Sequence, residues 1–302
     1  MKKILVLSGG ISKERLISLD TGLQVAKELK KNNYKVKISE PENLSKNIKE
    51  FKPNVIFNAL HGQFGEDGYI QSIIETFNIP YTHSGVISSS IAMDKEISKN
   101  IFIKNKIKTP KFFIYTFELK KLDLIKKINK QLKFPVVLKP LNEGSSVNVF
   151  ICNKKNIFKA LDVLKTYKKI IIEEFIGGRE IQVAIMGNKK LGAIELVPKR
   201  KFYDYEAKYN SNAKTEHLIP VKLTKNELEK VLSMAAKAHK VIGCKGVTRS
   251  DFKFYKKKFY LLEINTQPGM TKLSLVPEIA LNKGFSFIKL IEWILKDASK
   301  KR

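Results

Sequence analysis

The sequence predicts a mixed fold, with a parallel α/β region at the N-terminus and two α+β regions after it. Three observations lead to this prediction. Apolar runs alternate with helical patterns up to about residue 80, which is typical of a parallel sheet. Short, closely spaced strand patterns follow, and from about residue 178 four longer strands are accompanied by two helices. We therefore expect three domains, at 1–86, 87–177 and 178–302.

The elements follow in order along the chain. In the first region, "KILVLS", "YKVKIS" and "NVIFNAL" are predicted strands, and helices are predicted over 14–31 and near 67–77. A helical stretch containing Met93 and Lys95 opens the second region. It is followed by strands at "TPKFFIYTF", "FPVVLKP", "VNVFIC" and "KIIIEEF", with a helix over 120–131. We expect "PVVLKP" to pair with "VNVFIC".

The third region contains the predicted strands "EIQVAIM", "LGAIELV", "VTRSDFKF" and "KFYLLEIN", and helices near 224–242 and 286–297. The last two strands are expected to form a hairpin, because the polar triplet Lys256-Lys257-Lys258 lies between them. The basic C-terminal helix has an apolar stripe that suits a membrane surface, but a packed core face is the favoured interpretation.

Composition restricts the possible functions. The chain of 302 residues is 43% hydrophobic and has a formal net charge of +28, yet only five of its 57 basic residues are Arg. Readers of bases and phosphates depend on the fork geometry of Arg, so nucleic acid is a disfavoured partner. No apolar run is long enough to cross a bilayer, and the two cysteines suit a reducing cytoplasm. A basic surface would attract small anionic substrates.

The segment "KFYLLEINTQPGMT" contains an unusual polar pair. Read as a strand, this segment has Phe259, Leu261, Glu263 and Asn265 pointing to one side, because side chains alternate with period two. An apolar face then ends in a carboxylate and an amide. A buried carboxylate is costly unless a positive group meets it, so we expect a cation at this place.

The preceding strand offers partners for this pair. Arg249 and Asp251 share one face of "VTRSDFKF", and in a hairpin that face can coincide with Glu263 and Asn265. Three oxygen ligands on rigid strands are typical of a hard cation such as Mg²⁺. The alternative is a purely structural network between the arginine and the carboxylates.

Several other motifs could bind anions. "LSGGISKERLISL" joins a strand to a helix, whose N–H groups can bind an anion. Lys13 stands where the dinucleotide fingerprint needs a glycine, and Glu14 is explained locally by the helix dipole. Glu40 imitates the ribose-binding acid of that fingerprint. "NALHGQFGEDG" has His61 at the end of a parallel strand, where it is either a ligand-binding group or a structural hydrogen-bonding residue.

The central motifs are more specific. In "VVLKPLNEGSSVN", Lys139 ends an apolar strand, and the Gly144-Ser145-Ser146 turn has the composition of a phosphate loop or of an ordinary hairpin. "KIIIEEFIGGRE" offers acids for a purine and its ribose, or simply solvated acids at a strand end. "FYDYEAKY" carries Lys208, which core packing does not explain.

Seven motifs occur in a fixed order: "GGISKERLISL", "ALHGQFGEDG", "SGVISSSIAMDK", "VVLKPLNEGSSV", "FYDYEAKY", "GCKGVTRSDF" and "LLEINTQPGMTKLSLVP". From residue 4 to about 296 the chain thereby resembles the D-alanine–D-alanine ligases of the ATP-grasp superfamily. The resemblance implies a three-domain ATP-grasp fold, with ATP held between the central and C-terminal domains. It also implies that ATP phosphorylates one D-alanine carboxylate and that the amine of a second D-alanine attacks the acyl phosphate.

The resemblance also implies site residues. Asp251, Glu263 and Asn265 would hold two Mg²⁺ ions, for which Mn²⁺ could substitute. The ATP site would comprise phosphate contacts, an adenine pocket and a ribose-binding acid: Lys95, Lys139, Ser146, Glu173, Glu174, Ile176 and Glu180. Arg249 and the Gly269 N–H would stabilise the oxyanion.

The remaining residues would bind the two amino acids. Glu14 would orient the first D-alanine, connected by hydrogen bonds to Ser145 and Tyr209, with His61 near the substrates. The second D-alanine would be bound by three residues: Lys208, Ser274 and Leu275. At three positions the chain departs from the family pattern: Asn148, Gln267 and Leu273.

The expected protein is thus a cytoplasmic homodimer that supplies a cell-wall precursor, with small-molecule substrates and no membrane or nucleic-acid partner. The sequence leaves two alternatives open. One is a related ligase that joins other small amino or hydroxy acids. The other is a non-catalytic binder of nucleotide or nucleic acid that keeps the fold.

Overall fold

The computed structural model describes residues 2–144, 147–197 and 215–302. Within these ranges the strands form three sheets. None of the helices described there is long and apolar enough to span a membrane.

The first sheet is parallel, as predicted, with strand order β2-β1-β3. Its strands and the helices near it are β1 (Lys3–Leu7), α1 (Arg15–Lys31), β2 (Lys35–Ser39), α2 (Leu44–Phe51), β3 (Val55–Asn58) and α3 (Tyr69–Thr76). The apolar run of β1 is buried from Ile4 to Leu7, because helices cover both faces of a parallel sheet. Helix α2 was not predicted from the sequence.

The helical stretch around Met93 is two helices, α4 (Val86–Met93) and α5 (Lys95–Lys104). Asp94 separates them. Its backbone is extended, and its side chain accepts hydrogen bonds from the N–H groups of Glu96 and Ile97, as an N-cap residue does. Lys95 therefore occupies the first turn of a new helix.

The second sheet is antiparallel, with order β4-β7-β5-β6. Its elements are β4 (Phe112–Tyr115), α6 (Lys121–Gln131), β5 (Val136–Pro140), β6 (Phe150–Cys152), α7 (Ile157–Leu164) and β7 (Ile170–Glu174). The expected pairing of β5 with β6 is confirmed, with Val136 opposite Cys152. Helix α7 was not predicted.

The third sheet is also antiparallel, with order β10-β9-β8-β11-β12. Its elements are β8 (Arg179–Met186), β9 (Lys189–Val197), β10 (Glu216–Leu218), α8 (Lys225–Ile242), β11 (Val247–Tyr255), β12 (Lys258–Asn265), α9 (Leu275–Asn282) and α10 (Phe287–Asp297). The β11–β12 hairpin confirms the predicted lysine turn, where Lys256 and Lys257 both have positive φ.

The predicted alternation along β12 is wrong at one point. The β11–β12 register shifts between Asp251 and Phe252, so that Leu262 is an extra residue. As a result Leu261 joins the buried core with Phe252, whereas Glu263 lies opposite Asp251. A β-bulge changes the phase of the strand in this way. Leu261 and Glu263 therefore lie on opposite faces of β12, and the apolar face does not end in a carboxylate.

The first and third sheets share a hydrophobic core. One cluster combines Val6 of β1, Ala26 of α1, Met186 of β8 and Ile291 of α10. Helix α10 thus buries its apolar stripe inside the protein, which agrees with the favoured interpretation of the C-terminal helix. The first sheet is in this way positioned against the third sheet.

Candidate active site

A cleft lies between the second and third sheets, and eight of the residues predicted for nucleotide or metal binding line it. These are Lys95, Lys139, Glu173, Glu174, Ile176, Glu180, Asp251 and Glu263. Two further charged residues line it that were not predicted from the sequence, Glu143 and Lys253. Residues far apart in the chain are therefore brought together in one cleft.

The β11–β12 hairpin places the predicted metal ligands side by side. Asp251 pairs with Glu263, and Arg249 pairs with Asn265. The Arg249 guanidinium donates to both oxygens of Asp251, with Nε–Oδ1 2.7 Å and Nη2–Oδ2 3.0 Å. The arginine–carboxylate network considered from the sequence is thus present, and it holds Asp251 in a fixed orientation.

The other two predicted ligands also have protein partners. Glu263 Oε2 lies 3.7 Å from Lys95 Nζ, and the Asn265 side-chain oxygen accepts the Gln267 N–H at 2.7 Å. Two carboxylates and an amide oxygen, held on rigid strands, are a donor set that suits a hard cation. No group of three or more His, Cys, Asp or Glu side chains with metal-site geometry occurs in the described ranges, so the candidate centre has only these two carboxylates.

Lys95 connects the two sides of the cleft. Its Nζ donates to the carbonyl oxygens of Glu143, at 2.7 Å, and of Leu141, at 3.4 Å. Its position in the first turn of α5 follows from the Asp94 cap. The ammonium group therefore lies between the loop after β5 and the carboxylate of Glu263.

Glu173 lies between two lysines. Lys139 Nζ is 2.6 Å from Oε1, and Lys99 Nζ is 3.0 Å from Oε2. Burial alone would raise the pKa of Glu173, but the two ammonium groups outweigh it and hold the pKa below its usual value. Burial also lowers the pKa of Lys99 to about 8. Lys99 was not predicted as a site residue, although its spacing of four from Lys95 puts both on one helix face.

Glu180, the predicted ribose ligand, is held by two donors. Lys253 Nζ is 2.9 Å from Oε2, and the Gln182 amide donates to Oε1 at 3.2 Å. Glu174 instead accepts the Lys111 N–H at 3.1 Å, which ties β7 to the start of β4. The carboxylate of Glu180 therefore lies inside the cleft in a defined position.

Glu14 is the residue directly before α1, the helix that follows the first strand, and is 8% exposed. Two glycines crowd its carboxylate. A Cβ atom added at Gly62 would come within 2.6 Å of Glu14 Oε2, and one at Gly144 within 3.1 Å. The loop after β3 and the phosphate-loop candidate thus both approach this carboxylate.

His61 is fully engaged by protein groups. Its Nδ1 lies 3.0 Å from Glu66 Oε1, and its Nε2 lies 3.0 Å from Thr21 Oγ1. Burial raises the pKa of Glu66 in spite of the adjacent histidine. The geometry favours a structural and orienting role for His61.

The expected anion site at the first strand-to-helix junction is filled by the protein itself. The Glu40 carboxylate accepts the Gly10 N–H at 3.1 Å and pairs with both terminal nitrogens of Arg15, at 2.6 and 2.9 Å. The position of Glu40, which resembles that of the acid in a dinucleotide site, is therefore explained by its ion pair with Arg15.

The second-substrate residues follow β12. The Ser274 Oγ accepts the Thr271 N–H at 3.1 Å, and a Cβ added at Gly269 would lie 3.0 Å from that oxygen. Gly269 and Ser274 are thus adjacent. Leu275 begins α9 and is partly buried against the shared core.

Of the three departures from the family pattern, the structure explains Asn148 and Gln267. Asn148 has a positive φ of 53°, a conformation that Asn tolerates. Gln267 is buried and accepts a hydrogen bond from Asn58 at 2.8 Å while donating to the Leu60 carbonyl. It therefore joins the first sheet to the loop after β12. Leu273 is 82% exposed.

Four predicted residues lie outside the described ranges: Ser145, Ser146, Lys208 and Tyr209.

Comparisons with known proteins point to one family. A family described as "D-ala D-ala ligase N-terminus" matches residues 37–84, and "D-ala D-ala ligase C-terminus" matches residues 104–296. A D-alanine–D-alanine ligase from Pelagibacter ubique is 77% identical over 99% of this chain and 98% of its own length. One from Wolbachia pipientis wMel is 43% identical over 98% of this chain and 94% of its own length.

Solved structures agree. A D-alanine–D-alanine ligase from Bacillus anthracis superposes with a TM-score of 0.87 and 33% identity, covering 98% of this chain and 97% of that one. A structure of the enzyme from the same organism, complexed with ATP, gives a TM-score of 0.85 and 30% identity with the same coverage. The likeness extends over the whole chain, and not over one domain alone.

Proposed function

Because the chain belongs to the D-alanine–D-alanine ligase family, we propose that it joins two D-alanine molecules at the expense of ATP. The product would be D-alanyl-D-alanine, a precursor for peptidoglycan. The observation that carries the proposal is the cleft lined by Lys95, Lys139, Asp251 and Glu263, in which Lys95 lies beside Glu263 and Asp251 is held by Arg249. Ammonium and guanidinium groups around carboxylates are what a transfer between two anions requires.

ATP would lie in the cleft between the second and third sheets. Glu173, Glu174 and Ile176 would surround the adenine, and Glu180 would accept hydrogen bonds from the ribose hydroxyls. Lys253 and Gln182 support this role, because they hold the two oxygens of Glu180. Lys95 and Lys139 would contact the phosphates, with Ser146 over them.

Asp251, Glu263 and Asn265 would hold two Mg²⁺ ions, for which Mn²⁺ could substitute. The oxygen donor set supports this assignment, and the bonds of Arg249 to Asp251 keep that carboxylate in place. When bound, Mg²⁺ would neutralise part of the phosphate charge. Since Lys95 lies beside Glu263, the same carboxylate would connect the metal with a phosphate-binding lysine.

The reaction would proceed in two steps. A carboxylate oxygen of the first D-alanine attacks the γ-phosphorus, ADP leaves, and an acyl phosphate forms. The neutral amine of the second D-alanine then attacks the carbonyl carbon, and phosphate departs with the bridging oxygen and with the proton that the nitrogen loses. The tetrahedral intermediate carries an oxyanion, which Arg249 and the Gly269 N–H would stabilise.

The two amino acids would bind at the end of the cleft next to the first sheet. Glu14 would orient the ammonium group of the first D-alanine, with Ser145 and Tyr209 connected to it and His61 behind it. The second D-alanine would contact three residues: Lys208, Ser274 and Leu275. The proposal includes a cytoplasmic location and a homodimer. The homodimer is tested by the mass of the purified protein in solution.

The test is a turnover assay with ATP, Mg²⁺ and D-alanine. We expect phosphate release that depends on D-alanine, and dipeptide detected by mass spectrometry. Supplying L-alanine, D-serine and D-lactate in turn as alternative substrates measures the substrate preference. Glu263→Gln should abolish turnover with the fold intact, while the exposed Glu229→Gln should not. Absence of D-alanine-dependent ATP turnover would refute the proposal, and near-normal activity of Glu263→Gln would refute the metal assignment.

A further inference from the structure

Lys99 is a buried ammonium group that the proposed reaction does not use. Its side chain is fully buried, with 0% exposure, and a cation in that environment needs partners. It lies on α5, four residues after Lys95, so both side chains occupy one helix face. Lys95 lines the cleft, whereas Lys99 lies behind the cleft wall.

Lys99 and Lys139 hold one carboxylate from two sides. Lys139 contacts Glu173 Oε1 at 2.6 Å, and Lys99 contacts Oε2 at 3.0 Å. The well-directed hydrogen bond of Lys99 goes to Thr109 Oγ1 at 2.7 Å, so its contact with Glu173 is mainly an ion pair. The three groups carry two positive charges and one negative charge. One lysine is therefore in excess of what Glu173 neutralises.

The additional positive charge becomes important when Lys139 binds another anion. Its ammonium group is directed at Glu173, and a phosphate oxygen in the cleft would compete for it. With a single lysine, this exchange would leave a buried carboxylate without a counter-charge, which is strongly unfavourable. With Lys99 on the far oxygen, the carboxylate stays paired.

We infer that Lys99 is a positioning residue for nucleotide binding. It is the permanent counter-charge of Glu173, and it allows Lys139 to turn from that carboxylate to the phosphates of ATP. The inference rests on the proposed function, because it takes Lys139 as the phosphate contact. Lys99 itself touches no substrate.

A purely structural role would differ in its consequences. In that case the ion pair would only fasten α5 to β7, and its loss would lower thermal stability without separating the two substrates. The positioning role instead predicts a loss confined to the nucleotide. It also predicts that the loss depends on the charge of Glu173.

The experiment is a double-mutant cycle on ATP binding, measured by calorimetry with ATP and Mg²⁺ and without D-alanine. We expect Lys99→Met to weaken ATP binding at least about tenfold, while the KM for D-alanine changes less than about twofold. In the Glu173→Gln background, Lys99→Met should change ATP affinity less than about twofold, because a neutral amide needs no counter-charge. Lys104→Met, at an exposed position of the same helix, is the matched control.

Unchanged ATP binding in Lys99→Met would overturn the inference, as would an equal loss in both backgrounds. If Lys99→Met does not fold, Glu173→Gln is compared with the double variant. Equal ATP affinity of those two supports the inference, and a further tenfold loss in the double variant overturns it. ATP binding by the parent protein without D-alanine turnover would refute the proposed function alone, since the cycle needs no acceptor.

Discussion

Adding one methyl group at Gly62 tests the position of the Glu14 carboxylate. Gly62 has a φ of +71°, and a Cβ atom there would lie 2.6 Å from Glu14 Oε2 and 3.3 Å from the Ser12 side chain. An ordinary contact is at least about 3.4 Å, so the carboxylate must move by about 0.8 Å. Misplacement of a substrate-orienting group by about 1 Å can cost about 100-fold in rate. We therefore expect Gly62→Ala to lower kcat/KM for D-alanine by about two orders of magnitude.

The stability cost of the left-handed backbone in Gly62→Ala can be measured separately from the displacement of Glu14. A left-handed conformation costs a residue with a Cβ about 1–2 kcal/mol, and Gly62→Ala should lose this much stability. Gly284→Ala is the matched control, because Gly284 has a φ of +81° and no atom lies within 4 Å of the added Cβ. It should lose similar stability and keep full activity. Gly144→Ala, with its closest contact at 3.1 Å and no positive φ, should have an intermediate effect on D-alanine.

The assay is phosphate release at varied D-alanine, accompanied by ATP titration and thermal unfolding of each variant. ATP affinity should stay unchanged in Gly62→Ala, since Glu14 lies at the amino-acid end of the site. Two results would refute the reasoning. One is wild-type D-alanine kinetics in Gly62→Ala, and the other is an equal loss of activity in Gly284→Ala.

Three further predictions concern other parts of the molecule. Lys253→Met should raise the KM for ATP about tenfold, or about 1.4 kcal/mol, because Glu180 loses a charge-assisted hydrogen bond; an unchanged KM in a steady-state assay would contradict it. Burial lowers the pKa of His239 to about 4. The share of the folding stability that depends on a neutral imidazole is therefore complete above the pKa of the unfolded state, about 6.5, and is lost as the pH falls toward 4. That share is about 3 kcal/mol, and chemical unfolding from pH 7 to 4 should show a shallower decline for His239→Gln. Phe252→Ala should destabilise the fold by about 3–5 kcal/mol, because the side chain is fully buried in the core beside α8; a loss below 1 kcal/mol in urea unfolding would contradict it.

The order of elements was largely predictable from the sequence, because apolar periodicity marks strands and long helices clearly. Short helices such as α2 and α7 were missed, since eight residues contain few turns of periodic signal. The bulge at Leu262 was also missed. A bulge changes which face a residue occupies without changing composition, so period-two counting cannot reveal it.

The adjacency of candidate site residues was predictable where they lie in recognisable motifs, such as Asp251 and Glu263 on adjacent strands. It was not predictable where function depends on which partner a charge finds. Glu173 pairs with Lys139 and with Lys99, and these contacts join residues 34 and 74 positions apart along the chain. Gln267 similarly reaches Asn58 of the first sheet. Such long-range pairs are decided by packing of the sheets and leave no local signal.

The central claim is ligation through an acyl phosphate, and an isotope measurement tests it most directly. D-alanine labelled with ¹⁸O in its carboxylate is turned over with ATP and Mg²⁺, and the released phosphate is analysed by mass spectrometry. The proposed chemistry predicts one ¹⁸O atom in each phosphate and one dipeptide for each ATP consumed. Phosphate without the label, or ATP consumption without dipeptide, would contradict it.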